Sequence, residues 1–163
     1  MKKLLIILLY LPIFGFGEVI VKYTSINWLP INEAEALSAK YNKDILIFFY
    51  RENCDYCEKM KNQTFSDSTV IKLINDNFFP VMINGKSKSP IIYNKKKFTN
   101  DKPSPEEESY FHNLFKELVD LKNGNYYWPS IVMVNSNHKK IIQGSGFWPK
   151  EQILRNLNQL LSN

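Results

Sequence analysis

Ile45-Leu46-Ile47-Phe48-Phe49-Tyr50 is an unbroken apolar run with no polar alternation. Such a run suits a strand buried on both faces, as in the middle of an α/β sheet. Before it, Asn32 is placed to cap a helix through Tyr41, with Glu33 and Glu35 in the favourable first turn. Ala36, Leu37 and Tyr41 would form that helix's modest apolar face. After the run, a helix is expected through Thr64, and Asp67 caps another whose Val70, Ile71 and Ile74 share one side. Phe78 to Ile83 reads as the next strand, with Pro80 near its start or at a bulge. Nearer the beginning, Glu18 to Lys22 suggests a short strand and Trp28-Leu29-Pro30 a turn.

The periodicity fails from Gly85 to Glu108. Lys86, Lys88, Lys95, Lys96 and Lys97 mix there with Pro90, Pro103 and Pro105, which predicts an insertion over the surface with a small strand at Ile91 to Tyr93. Its basic cluster could face an acidic partner, although a solvated loop is the simpler reading. Ser104-Pro105-Glu106-Glu107 forms a capping box with proline at the first helical position. Phe111, Leu114, Phe115 and Leu118 then follow at helical spacing. In the last third, Ser130 to Val134 and Lys140 to Gln143 flank a turn at Asn135 to His138 and predict an antiparallel hairpin. Gly144 and Gly146 loosen its exit, and Pro149 starts a final helix with Ile153, Leu154, Leu157, Leu160 and Leu161 on one face. This order predicts an α/β fold, with a mixed central sheet of four to five strands flanked by helices.

A length of 163 residues leaves room for one domain. The hydrophobic content is 44%, including 11 Phe and 9 Tyr, so a packed interior is available. A domain near this size buries about 68–70% of its unfolded surface without extra staples. The two cysteines are therefore not explained by stability alone. The formal net charge is +5, and two of the positive charges sit at Lys2 and Lys3. Met1-Lys2-Lys3, the apolar run from Leu4 to Phe14, and Gly15 and Gly17 together fit a secretory signal peptide over residues 1–17. The run is shorter than the roughly 20 residues that a membrane span requires. An uncleaved anchor or a buried first strand is the alternative. Without residues 1–17 the domain would cover 18–163, with a charge too mild to argue for nucleic acid or a membrane surface. Export, with the periplasm as the expected compartment, would let a cysteine pair persist as a disulfide.

Cys54-Asp55-Tyr56-Cys57 lies between the buried strand and a helix. A helix start directs unsatisfied backbone N–H groups and the positive dipole end at Cys54, and both favour the nucleophilic thiolate. Cys57 follows one turn later, close enough to close a disulfide with modest adjustment. Such a pair can attack a partner, hold a mixed disulfide and resolve it. Three other readings stand beside this one. A structural disulfide is one, and two unrelated packed thiols are another. The third is a metal site, which would need His112 and His138 although neither has ligand spacing to the pair.

Cys54-x-x-Cys57-x-x-Met60, with Thr64-Phe65-x-Asp67-x-x-Val70, resembles the thioredoxin-like thiol–disulfide oxidoreductases. The likeness is to thioredoxin-related periplasmic proteins and to the C-terminal domain of membrane thiol–disulfide interchange proteins. Trp28, the Ile45–Tyr50 run and Trp128-Pro129-Ser130 fit the same family, so the resemblance covers roughly Trp28 to Leu161. It implies a thioredoxin-like fold, Cys54 as attacking and Cys57 as resolving cysteine, and no cofactor. Pro129 would be the cis-proline facing the pair, with Trp128 and Tyr56 helping to form a substrate rim. Without the resemblance, a trans proline opening an edge strand would be the default. Two departures stand out. Phe48 occupies the place of the family's buried acid, leaving water or Glu52, Asp55 or Glu58 to take the Cys57 proton. Asp55, between the cysteines, opposes the Cys54 thiolate and so tunes the couple, while Arg51 and Lys59 can offset it.

The expected function is dithiol–disulfide exchange with exported protein thiols or disulfides, as reductant or electron carrier, fed by a membrane or soluble thiol donor. The alternatives are a non-catalytic binding module on the same scaffold, or a disulfide isomerase or oxidant using the same residues.

Overall fold

The computed structural model describes residues 22–100 and 110–162. The apolar run forms β1 (Ile45–Tyr50), buried at every residue from Ile45 to Phe49. It pairs in parallel with β2 (Phe79–Asn84) and antiparallel with β5 (Ser130–Val134), which pairs in turn with β6 (Lys140–Ser145). The sheet order is β2-β1-β5-β6, a mixed sheet of four strands. Pro80 is accommodated because β2 is an edge strand, and its carbonyl accepts the Leu29 N–H at 2.8 Å.

Side chains of β1 alternate between two cores. Leu46 and Phe48 face Met60, Phe65, Ile74, Trp148 and Leu157. That side is covered by α2 (Asp55–Lys59) and the π-helical turn Met60–Thr64 that continues it, with α3 (Ser68–Asn77) and α5 (Lys150–Leu161). Ile45, Ile47 and Phe49 face Ala34, Leu114 and Phe115. Over this second core lie α1 (Ile31–Tyr41), α4 (Asn113–Leu118) and a hairpin of β3 (Ile91–Tyr93) with β4 (Lys96–Phe98).

Asp67 caps α3 as expected, its Oδ1 accepting the N–H groups of Thr69 and Val70. Other boundaries and faces differ. Pro30, not Asn32, occupies the cap position of α1, and its carbonyl accepts the N–H groups of Glu33 and Ala34. The face that α1 buries is Ala34 and Ser38, while Ala36 and Tyr41 are exposed. Small side chains let this helix lie close to the sheet, a contact that hydrophobicity alone does not reveal. The helix carrying Leu114, Phe115 and Leu118 begins at Asn113, where His112 Nδ1 accepts the Leu114 N–H at 3.2 Å; Phe111 precedes it. The capping box at 104–107, the segment 1–17 and all of the 18–22 strand except Lys22 lie outside the described residues.

The lysine-rich stretch is not wholly a surface excursion. Tyr93 and Phe98 are buried in the second core, whereas Ile92 and Lys95 to Lys97 are exposed. A two-stranded hairpin has two faces, and this one seats one of them on the domain. Asn94 and Lys95 both hold positive φ, as a two-residue hairpin turn demands. Because that turn lacks the usual glycine, the stretch reads as irregular in sequence.

Candidate functional site

The loop leaving β1 delivers the cysteine pair. Arg51 Nη1 donates to the carbonyls of Glu52 at 3.3 Å and Asn53 at 3.1 Å, and Asn53 adopts a left-handed φ of 51°. That reversal starts α2 with Cys54 as its extended cap residue, whose Sγ accepts the Cys57 N–H at 3.2 Å. The two cysteines form a disulfide, with Cα atoms 5.2 Å apart. Cys54 keeps 6% of its surface exposed and Cys57 none, so the first sulfur is the one a partner can reach.

Tyr56 and Asp55 are exposed on the outer side of α2. The Trp128–Pro129 bond is cis. Ser130 stands opposite Phe49 in the β1–β5 register, which sets Pro129 beside the end of β1 from which the cysteine loop departs. The Pro129 carbonyl accepts the Gly146 N–H at 2.8 Å. Trp128 is half-buried and stacks on Phe115, with ring centroids 4.4 Å apart and planes 13° from parallel. Its indole covers Gly85, where a Cβ would collide with the ring. Trp128 thus braces the turn before Pro129.

Phe48 is fully buried in an aromatic cluster, 4.9 Å from the Phe65 ring and 6.1 Å from Trp28. The three candidate proton acceptors Glu52, Asp55 and Glu58 lie on exposed positions, and Glu58 pairs with Lys61 at 2.8 Å. Lys59 sits over the Phe147 ring at 4.6 Å.

A clasp beneath α2 was not legible from the sequence. The Trp148 N–H donates to Met60 Sδ at 3.4 Å, and Thr64 Oγ1 donates to the Trp148 carbonyl at 2.7 Å. The π-helical turn brings both side chains to one backbone unit, which satisfies two polar groups buried with Trp148. Gly144 makes room for the indole, since a Cβ there would overlap it. Met60 and Thr64 at i, i+4 are the one sequence signal that could have suggested a shared target.

The two histidines are engaged apart from the cysteines. His112 caps α4, and His138 Nε2 lies 2.8 Å from Glu35 Oε1.

A family profile for a thioredoxin-like domain matches residues 31–161. Spermatogenesis-associated protein 20 of Mus musculus is 22% identical over 134 residues, covering 82% of this chain but only 14% of that much longer protein. Among solved structures, a thioredoxin from Thermus thermophilus aligns with a TM-score of 0.59 and 21% identity over 84% of this chain and 88% of that one. The DsbH oxidoreductase gives 0.58 and 16% over 86% and 88%, and a disulphide isomerase from Xylella fastidiosa gives 0.53 and 16% over 94% and 99%. At these identities the structures speak for the fold. The matched family and the closed Cys54–Cys57 pair at a helix start define a thiol–disulfide oxidoreductase centre. The chain belongs to the family of thioredoxin-like domains.

Proposed function

We propose that this protein is exported and reduces disulfides of protein partners in the same compartment, drawing electrons from a membrane-bound or soluble dithiol. The observation that carries this reading is the asymmetry of the pair: a reachable Cys54 that caps the helix, and a Cys57 sealed beneath it. In the reduced protein the Cys54 thiolate attacks a client disulfide, forming a mixed disulfide and releasing one client thiolate. Cys57, losing its proton, attacks Cys54 and frees the second client thiolate. The Cys54–Cys57 disulfide is left behind, and two electrons have passed to the client. The dithiol donor then reduces that disulfide.

In this reading Pro129 and Tyr56 would frame the approach to Cys54. Support comes from Pro129 preceding β5 at the end of β1 where the cysteine loop departs, and from the exposure of Tyr56 on α2. The direction of electron flow follows from charge. A strongly oxidising couple requires a heavily stabilised thiolate. Asp55, next in sequence to Cys54, works against one. The test is the equilibrium potential against glutathione. A reducing value supports the assignment, and a value near the strongly oxidising end, about −120 mV, reverses the direction.

A further inference from the structure

An open cleft of about 560 Å³ lies between the loop after β1 and the end of β2, walled by Arg51, Glu52, Asn84, Lys86 and Lys88 among others. Three cations there face one carboxylate. The walls are pinned by hydrogen bonds. Asn84 Oδ1 accepts the Lys86 N–H at 2.9 Å, and Asn100 Nδ2 donates to the carbonyls of Lys86 at 3.2 Å and Ser87 at 2.7 Å. Asn84 Nδ2 also reaches Glu52 Oε1 at 3.5 Å, drawing that carboxylate toward the β2 wall. The lysines therefore stand on a fixed frame.

We propose that this cleft docks an acidic stretch flanking the target disulfide of a client protein. The inference deepens the reductant reading above and rests on it. Position supports it, because Arg51, Glu52 and Asn53 both line the cleft and immediately precede Cys54. An extended client rises about 3.3 Å per residue, so acids two or three places from its cysteine reach the cleft. Pro129 opens β5 on one flank of β1, whereas the cleft opens at the end of β2 on the other. The two sides of a client cysteine would thus meet different flanks of β1, only one of which carries the cationic cleft. Arg51 spends only Nη1 on the loop carbonyls, which leaves guanidinium donors for a carboxylate.

The test uses the reduced full chain and disulfide-linked peptides matched except for acidic or neutral residues around the cysteine. Anisotropy of a fluorescent, cysteine-free acidic peptide provides a second readout that does not depend on turnover. The acidic peptide should be reduced about tenfold faster in kcat/KM at low salt, with the ratio falling toward one at high salt. Lys86→Gln/Lys88→Gln should abolish the ratio and weaken peptide binding. Lys40→Gln/Lys139→Gln removes the same charge near the opposite end of β1 and should keep both. Because each ratio is taken within one protein, losses from misfolding cancel. Equal rates and equal binding for acidic and neutral peptides overturn the docking site. So does an equal loss in both double variants, which would reduce the effect to net charge. Selective binding of the acidic peptide without any disulfide reduction keeps the cleft and removes the reductant reading.

Discussion

The backbone N–H of Cys57 donates to the sulfur of Cys54 across 3.2 Å. One turn of α2 thus aims an amide at the outer sulfur of the pair, while the sulfur of Cys57 lies inside. Hydrogen bonds to an ionised acceptor are stronger than those to a neutral one, so this contact favours the Cys54 thiolate once the pair is reduced. A Cys57→Ser variant should accumulate mixed disulfides with client proteins on non-reducing gels, and Cys54→Ser should not. Equal trapping by the two variants would reverse the assignment.

Trp148 is 5% exposed, and Gly144 leaves the space that its indole fills. Gly144→Ala forces a methyl group into that ring. The overpacking should cost about 1–3 kcal/mol in a denaturant titration, with an unchanged slope. A variant as stable as the parent would mean that the clasp yields without resistance.

The β3–β4 hairpin offers a contrast within one short element. Phe98→Ala removes a ring that is 5% exposed and should cost about 3–5 kcal/mol. Ile92→Ser changes a side chain that is 62% exposed and should stay within about 0.5 kcal/mol of the parent. Thermal melts of the two variants separate a seated hairpin from a surface excursion, on which both would be neutral.

Asp67 links acid stability to helix capping. The Lys150 hydrogen bond at 2.7 Å holds its carboxyl below the ordinary carboxylate range, helped by the N–H groups of Val70 and Thr69 and opposed by partial burial. A depressed folded-state value contributes stability above the unfolded value, near 3.9, and loses it as pH falls through the folded one. Asp67→Asn keeps a capping oxygen but removes the charge. The stability gap between parent and variant should be present at pH 7 and shrink below about pH 4. A gap constant across that range would show that the charge contributes nothing.

Some features are local enough to be carried by the chain itself. The Ile45–Tyr50 run marks a strand buried on both faces, Asp67 announces α3 by its capping chemistry, and the Ser130–Gln143 pattern forms the hairpin with only its end shifted. The cysteine pair is equally local, because one helical turn sets the distance between its members. Tertiary structure decided what depends on residues far apart in sequence. Nothing near Ala34 and Ser38 shows that a sheet lies against them, so the buried face of α1 emerges only on packing. Tyr93 and Phe98 gain their place in the core from α1, α4 and β2, elements with no periodic relation to a three-residue strand. The Thr64–Trp148 bond spans 84 residues, and the cationic cleft joins the end of β1 to the end of β2. Hydrophobic period reports which side of an element seeks cover; only the assembled sheet, β2-β1-β5-β6, supplies the covering partner.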